Sequence, residues 1–201
     1  MPERPLIGEL PAPERVAEPM IARCRAEVEG RAKALARTLL LPVLRRRFGL
    51  AELGEGFQWG RNMVIARGSR IGRYAYLGPD FCSHGPIVVG DLCMIAAGCR
   101  VVGADHAFDR AGTPTRLGWP DAPRAVTVFG ADCWIGERVT IREGVTVGAG
   151  AVVGSAATVV SDVPPYAIVA GTPARIVRQR FEGRERAMHE RALLGNVADA
   201  A

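Results

Sequence analysis

The chain has 201 residues, 48% of them hydrophobic, which suits one domain with an apolar core. Its formal net charge is +5 and Lys33 is its only lysine, so arginine carries nearly all the positive charge. A guanidinium binds phosphate through paired N–H donors, and otherwise serves as solvated surface. No stretch approaches the ~20 apolar residues of a membrane span, and Met1-Pro2-Glu3-Arg4-Pro5 opens no signal-peptide core, so a cytoplasmic protein is expected.

Residues 1–13 are proline-rich and are expected to be extended or loosely ordered. Residues 14–48 read as helix, rich in Ala, Arg, Glu and Leu, with interruptions at Pro19, Gly30 and Pro42. The run Leu39-Leu40-Leu41-Pro42-Val43-Leu44-Arg45-Arg46-Arg47-Phe48 is apolar, then basic. It fits a weak contact with an anionic membrane surface, or a helix capping the open end of a stacked fold, which is the stronger expectation. Residues 1–50 thus form an N-terminal extension and helical cap.

From Phe129 to Asp162 the chain divides into sixes: Phe129-Gly-Ala-Asp-Cys-Trp, Ile135-Gly-Glu-Arg-Val-Thr, Ile141-Arg-Glu-Gly-Val-Thr, Val147-Gly-Ala-Gly-Ala-Val, Val153-Gly-Ser-Ala-Ala-Thr, Val159-Val-Ser-Asp. Place one is apolar and Gly usually follows. Place five is small or β-branched: Cys133, Val139, Val145, Ala151, Ala157. A helix repeats every 3.6 residues and a strand every two. A strict hexad fits a solenoid of short strands and tight turns whose stacked coils share one core. The same beat runs through Leu53, Trp59, Ile65, Ile71, Leu77, Val89, Ile95 and Val101, with Ser83 the weak member. Gly54, Gly56, Gly60, Gly68, Gly72, Gly78 and Gly90 are expected to supply positive φ at the corners.

The two frames do not match, so residues 103–128 are an insertion, beginning Gly103-Ala104-Asp105-His106 and rich in turn signals. A long loop in a compact fold is usually functional. The solenoid spans 51–173. Residues 174–195 read as a C-terminal helix rich in arginine and glutamate, and 196–201 as a fraying tail. Of five cysteines, Cys93, Cys99 and Cys133 fall at inward places and read as small core residues.

Three groups of residues carry a resemblance: Gly103-Ala104-Asp105-His106 before the loop, Asp132-Cys133-Trp134-Ile135-Gly136 after it, and Asp162-Val163-Pro164-Pro165-Tyr166 leading to Gly171-Thr172-Pro173-Ala174. On these the chain resembles the hexapeptide-repeat acyltransferases, in their branch of maltose, galactoside and xenobiotic O-acetyltransferases, over residues 53 to 181. The resemblance implies a mainly β fold, a left-handed parallel β-helix. It implies acetyl-coenzyme A as co-substrate, bound between adjacent solenoids of a homotrimer, and no metal.

Acetyl transfer to a hydroxyl needs a base, and histidine is the usual one near neutrality. Of His84, His106 and His189, His106 begins the insertion and matches the family's catalytic histidine. A direct transfer needs only that base, oxyanion donors and positioning. By resemblance Trp134 lies beside the thioester, Glu137 offers its backbone N–H to the cofactor, and Ser155 and Val160 match backbone-contacting positions. Arg175 and Arg178, on one face of the expected helix, match the residues that hold the nucleotide phosphates. Each also has a plainer reading: Trp134 as corner packing, the arginines as helix surface. Where the sugar enzymes bind the acceptor through Asn and Asp, this chain has Tyr76 and His84, which argues against maltose or galactoside.

The leading expectation is an O-acetyltransferase acting on a sugar hydroxyl, in a surface-polysaccharide or glycolipid pathway. The alternatives are a xenobiotic or amino-sugar acceptor, and a non-catalytic trimeric scaffold. A β-helix carbonic anhydrase needs close-spaced histidines for zinc, which His84 and His106 do not supply. Nucleic acid is not an expected partner.

Overall fold

The computed structural model describes residues 10–28, 30–103, 106–119 and 123–195. Two helices come first, α1 (Glu18–Glu27) and α2 (Arg31–Phe48). The first coils follow: β1 (Glu52–Leu53), β2 (Gln58–Trp59), β3 (Val64–Ile65), β4 (Arg70–Ile71), β5 (Tyr76–Leu77), β6 (Cys82–Ser83), β7 (Ile87–Val89), β8 (Met94–Ile95) and β9 (Arg100–Val102). After the loop come β10 (Thr127–Phe129), β11 (Trp134–Ile135), β12 (Thr140–Arg142), β13 (Thr146–Val147), β14 (Val152–Val153) and β15 (Thr158–Val159). The chain closes with β16 (Ala167–Gly171), β17 (Ala174–Gln179) and α3 (Gly183–Leu194).

Each coil visits three sheets in turn. The first face is β1-β4-β7-β10-β13, the second β2-β5-β8-β11-β14-β16-β17, and the third β3-β6-β9-β12-β15. Among β1 to β9 pairing is parallel and repeats every 18 residues, as in Gln58↔Tyr76 and Val64↔Cys82. This is the expected parallel β-solenoid. Place one of each hexad points inward, so Leu77, Ile95, Ile135, Val153 and Val169 stack along the second face inside the core. The weak member Ser83 is fully buried and donates its hydroxyl to Gly85 O at 2.7 Å, and Ser69, buried at place five, accepts the Ile87 N–H at 3.1 Å, so both polar groups at these inward places are satisfied.

The glycines do a different job from the one their frequency suggests. Gly54, Gly60, Gly72, Gly78 and Gly90 do not have positive φ. A Cβ on Gly60 would lie 2.2 Å from Pro79 N, and one on Gly90 2.5 Å from Ala131 N. Place two is therefore glycine because the next coil's backbone passes there. Positive φ belongs to place four, where Tyr74, Leu92 and Asp132 adopt it as well as Gly56 and Gly150.

Three expectations for the ends are corrected. Residues 14–17 are not helical: Glu14, Arg15 and Val16 lie extended across the coils and α1 starts at Glu18. Pro42 sits inside α2 instead of ending it; the lost hydrogen bond is outweighed by Leu41 and Phe48 packing on the core. Residues 174–179 are a strand, not helix, pairing antiparallel with β16. Ile176 and Val177 favour that edge position, and backbone pairing overrides the helical propensity of the arginines. The tail 196–201 and residues 1–9 lie outside the described residues.

Cys93, Cys99 and Cys133 are buried in the core, and burial pushes the Cys99 thiol up to about 12. At pH near 8 it stays protonated and shielded. Brief alkylation of the folded chain should label Cys24 and Cys82, both partly exposed, and spare the other three. Mass mapping that found Cys99 labelled first would contradict this packing.

Candidate functional site

The loop leaves the third face after β9 and enters the first face at β10. Val88 pairs with Val128, forty residues on instead of eighteen, so 22 residues are inserted at that corner. A buried carboxylate, Glu143, paired with the half-buried Arg124, ties the two ends of the loop. Glu143 packs against Gly85 and Gly103: a Cβ on Gly85 would come within 2.7 Å of its carboxylate, and one on Gly103 within 2.5 Å of its Cβ and 2.8 Å of Oε2. Arg124, at the loop's return, donates from Nε to Glu143 Oε2 at 2.9 Å and from Nη2 to Gly103 O at 3.4 Å.

Within the loop, Gly118 O accepts the Ala107 N–H at 2.9 Å and lies 3.0 Å from His106 Nδ1. A carbonyl can only accept, so Nδ1 carries the proton and Nε2 presents a lone pair. The half-buried imidazole also packs against Trp119, with ring centroids 5.2 Å apart. A side chain at Gly118 would come within 2.1 Å of Ala107 O, so this turn closes only with glycine there.

The second face carries Tyr76, Trp134, Arg175 and Arg178 on its outer side. Cross-strand pairing lines up Tyr76, Met94, Trp134, Val152, Ile168 and Arg178 in one file. Strand spacing puts Tyr76 about 10 Å and Arg178 about 14 Å from Trp134. Trp134 is 57% exposed and Met94 52%. Arg175 pairs with Ala170 and Arg178 with Ile168, and a bulge in β17 absorbs the odd residue between them. Ala170 and Ile168 share a face, so both arginines share it too, by a bulged strand and not by a helix.

Glu137 and Ser155 occupy the corner between the second and third faces. The Glu137 N–H donates to Ser155 Oγ at 3.3 Å. His84 and Val160 directly follow the third-face strands β6 and β15, at the corner from which the loop leaves. His84 is exposed, its Nε2 3.7 Å from Cys82 Sγ. The predicted residues thus fall into two groups, His84, His106 and Val160 at one edge, and Tyr76, Trp134, Arg175 and Arg178 on the face opposite it, with Glu137 and Ser155 at that face's border. His106 is three residues from Gly103, roughly 11 Å of chain at most, and the straight path from that edge to the second face crosses the buried core.

The chain is similar to several known proteins. The chain is 37% identical to a probable macrolide acetyltransferase of Lysinibacillus sphaericus over 109 residues, 47% of this chain and 61% of that one. It is 35% identical to a chloramphenicol acetyltransferase of Escherichia coli over 127 residues, 56% of this chain and 60% of the other. The crystal structure of a hexapeptide-repeat containing acetyltransferase from Vibrio cholerae superposes with a TM-score of 0.59 at 28% identity, covering 82% of this chain and 90% of that one. In sequence and fold the chain is similar to hexapeptide-repeat acetyltransferases. It spans about 60% of the length of the curated relatives it matches, and no protein-family model matches it. The Vibrio protein of this family also has a structure with acetyl-coenzyme A bound.

Reading the sequence alone missed Trp119, Arg124 and Glu143. Each is set by how the loop folds back on itself and on the coils, and no short spacing in the chain announces it. Among the described residues, no three His, Cys, Asp or Glu side chains come together as a metal site would require, and no helix is long and apolar enough to cross a membrane.

Proposed function

We propose that this chain is an acetyl-coenzyme A-dependent O-acetyltransferase that transfers acetyl directly to a sugar hydroxyl, with His106 as general base. One observation carries the proposal: the Nδ1–H of His106 is engaged by Gly118 O at 3.0 Å. This leaves Nε2 free to take the hydroxyl proton as the oxygen attacks the thioester carbon and coenzyme A thiolate leaves. The loop packing of His106 against Trp119 fixes the ring direction. Relatives named as acetyltransferases support the reaction class.

The donor is proposed to lie along the second face, with Trp134 beside the thioester and Arg175 and Arg178 at the nucleotide phosphates. Glu137 and Ser155 border it. Since His106 and Trp134 stand on opposite sides of one protomer, a working site joins the loop of one subunit to the second face of a neighbour. Closed rotational symmetry satisfies this for every subunit at once, and a homotrimer is the form proposed. His84 and Val160, beside the loop root, and Tyr76, on the donor face, would then meet across the same interface. The setting proposed is cytoplasmic, with surface polysaccharide or glycolipid as the acceptor's destination.

A second reading takes a small xenobiotic acceptor. It is favoured by Trp119 and Phe108, 66% and 80% exposed on the same loop as the base, and by relatives named for macrolides and chloramphenicol. The test is acetyl-coenzyme A consumption over a panel of sugars, nucleotide sugars, macrolides and chloramphenicol. Turnover confined to the antibiotics would replace the sugar reading, and no turnover with any hydroxyl acceptor would overturn both.

Arg175→Ala and Arg178→Ala are each expected to raise the KM for acetyl-coenzyme A several-fold, because an exposed guanidinium–phosphate pair contributes about 1 kcal/mol. The kcat should hardly move, since that phosphate is remote from the reacting carbon. Wild type should discriminate against dephospho-coenzyme A donors and the double variant should not. A double variant that keeps the full preference would place the phosphate site elsewhere.

A further inference from the structure

We infer that α2 docks this protein onto an anionic phospholipid surface. The helix has two apolar faces on opposite sides. Leu41, Leu44 and Phe48 are partly buried, with Leu41 and Phe48 packed on the core at the end of the coils. Leu35, Leu39 and Val43, four residues apart, form a second stripe that points away from them. They are 65%, 69% and 62% exposed, and Leu40 beside them is 48% exposed. Capping therefore uses one face and leaves the other without any cover among the described residues.

Charge decides what fits that face. Residues 31–48 hold six basic residues and no acidic one. Beside the stripe, where α2 meets the first coil, lies a cavity of about 550 Å³ lined by Leu41, Pro42, Leu50 and Leu53 and by Arg45, Arg46 and Arg67. Arg45 spends its donors on Leu50 O and Ala51 O. The Arg67 guanidinium packs over Gly49, where a Cβ would come within 2.8 Å of it. No acidic side chain lines this cavity, so guanidinium groups stand over an apolar floor. An exposed leucine stripe beside such a cavity matches a surface that offers acyl chains and phosphate together. A second copy of the chain would bring the same positive charges against these.

The experiment is sedimentation of the full chain with vesicles of phosphatidylcholine alone, or of phosphatidylcholine mixed with phosphatidylglycerol. Wild type should pellet with the anionic vesicles, stay in solution with the neutral ones, and be released by sodium chloride, with inorganic phosphate at equal ionic strength releasing no more than chloride does; release by phosphate well below that ionic strength would mark a free-phosphate site and overturn the lipid reading. Leu39→Ser/Val43→Ser should lower the partition coefficient at least tenfold. Arg46→Gln/Arg67→Gln should lower it about fivefold for each cation removed. These side chains are exposed or line an open cavity, and unchanged circular dichroism melting would confirm that both variants fold. The inference is overturned if wild type ignores the anionic vesicles, or if either folded variant pellets as wild type does. It is equally overturned if Leu39→Ser/Val43→Ser lowers the light-scattering mass and leaves vesicle binding unchanged, since the stripe would then be a subunit contact.

Discussion

His106→Ala is expected to lower kcat by about 10² to 10⁴, the range a positioned general base contributes, with acetyl-coenzyme A affinity nearly unchanged. Gly118 O, 3.0 Å from Nδ1, accepts its proton, so only Nε2 is available as a base, and Trp119 packs against the ring. The substitution removes the proton acceptor and leaves the second face, where the donor is proposed to lie, untouched. His106→Gln should be equally slow, because an amide of similar size hydrogen-bonds but does not take up a proton. The measurement is initial rate against acceptor concentration at saturating donor. A variant within about threefold of wild type, far above what loss of a general base leaves, would remove His106 from the reaction.

Asp91→Ala should cost about 3–5 kcal/mol, because it strands a paired charge beneath the surface. The Asp91 side chain is fully buried. Its Oδ1 accepts from Arg15 Nη1 at 2.9 Å and from the Arg73 N–H at 2.7 Å, and its Oδ2 accepts from the Val16 N–H at 3.1 Å and Arg73 Nε at 2.8 Å. Arg73 reaches on to Val16 O at 2.7 Å. This one carboxylate therefore fastens the extended segment before α1 onto the coils. For a chain of this size the loss should lower Tm on the order of 10 °C, and limited proteolysis should cut ahead of α1. A Tm close to wild type would mean that the segment is held by Ile21 and Leu193, which pack beside it, and not by Asp91.

The solenoid was legible in the sequence because its rule is local. A residue such as Ile135 must face inward whatever surrounds it, and the next inward place comes six residues later. The frame break marked the loop for the same reason. What escaped depends on contacts between distant residues. The place-two glycines suggested turn flexibility, yet Gly60 is needed because Pro79 of the following coil passes within a Cβ's reach. Arg175 and Arg178 suggested a helix face; only pairing with β16 makes their segment a strand, and only the bulge restores a shared side. Glu143 carries no motif at all, and its role exists only once the loop ends meet over Gly85 and Gly103. The division of the site between the loop edge and the opposite face is likewise a property of the three-sided coil. Hexads fix the sides, but which side each side chain decorates follows from counting strands around the prism.

The outer side of the second face, completed by a neighbour's loop, is proposed to bind acetyl-coenzyme A. Calorimetric titration of the donor into the intact protein tests it without knowledge of the acceptor. The expected result is saturable binding of one acetyl-coenzyme A per chain, with dephospho-coenzyme A several-fold weaker. Trp134→Arg should abolish binding, because it blocks the file between Met94 and Val152. A folded wild-type protein that takes up no acetyl-coenzyme A, or a Trp134→Arg variant that binds it as wild type does, would contradict the account.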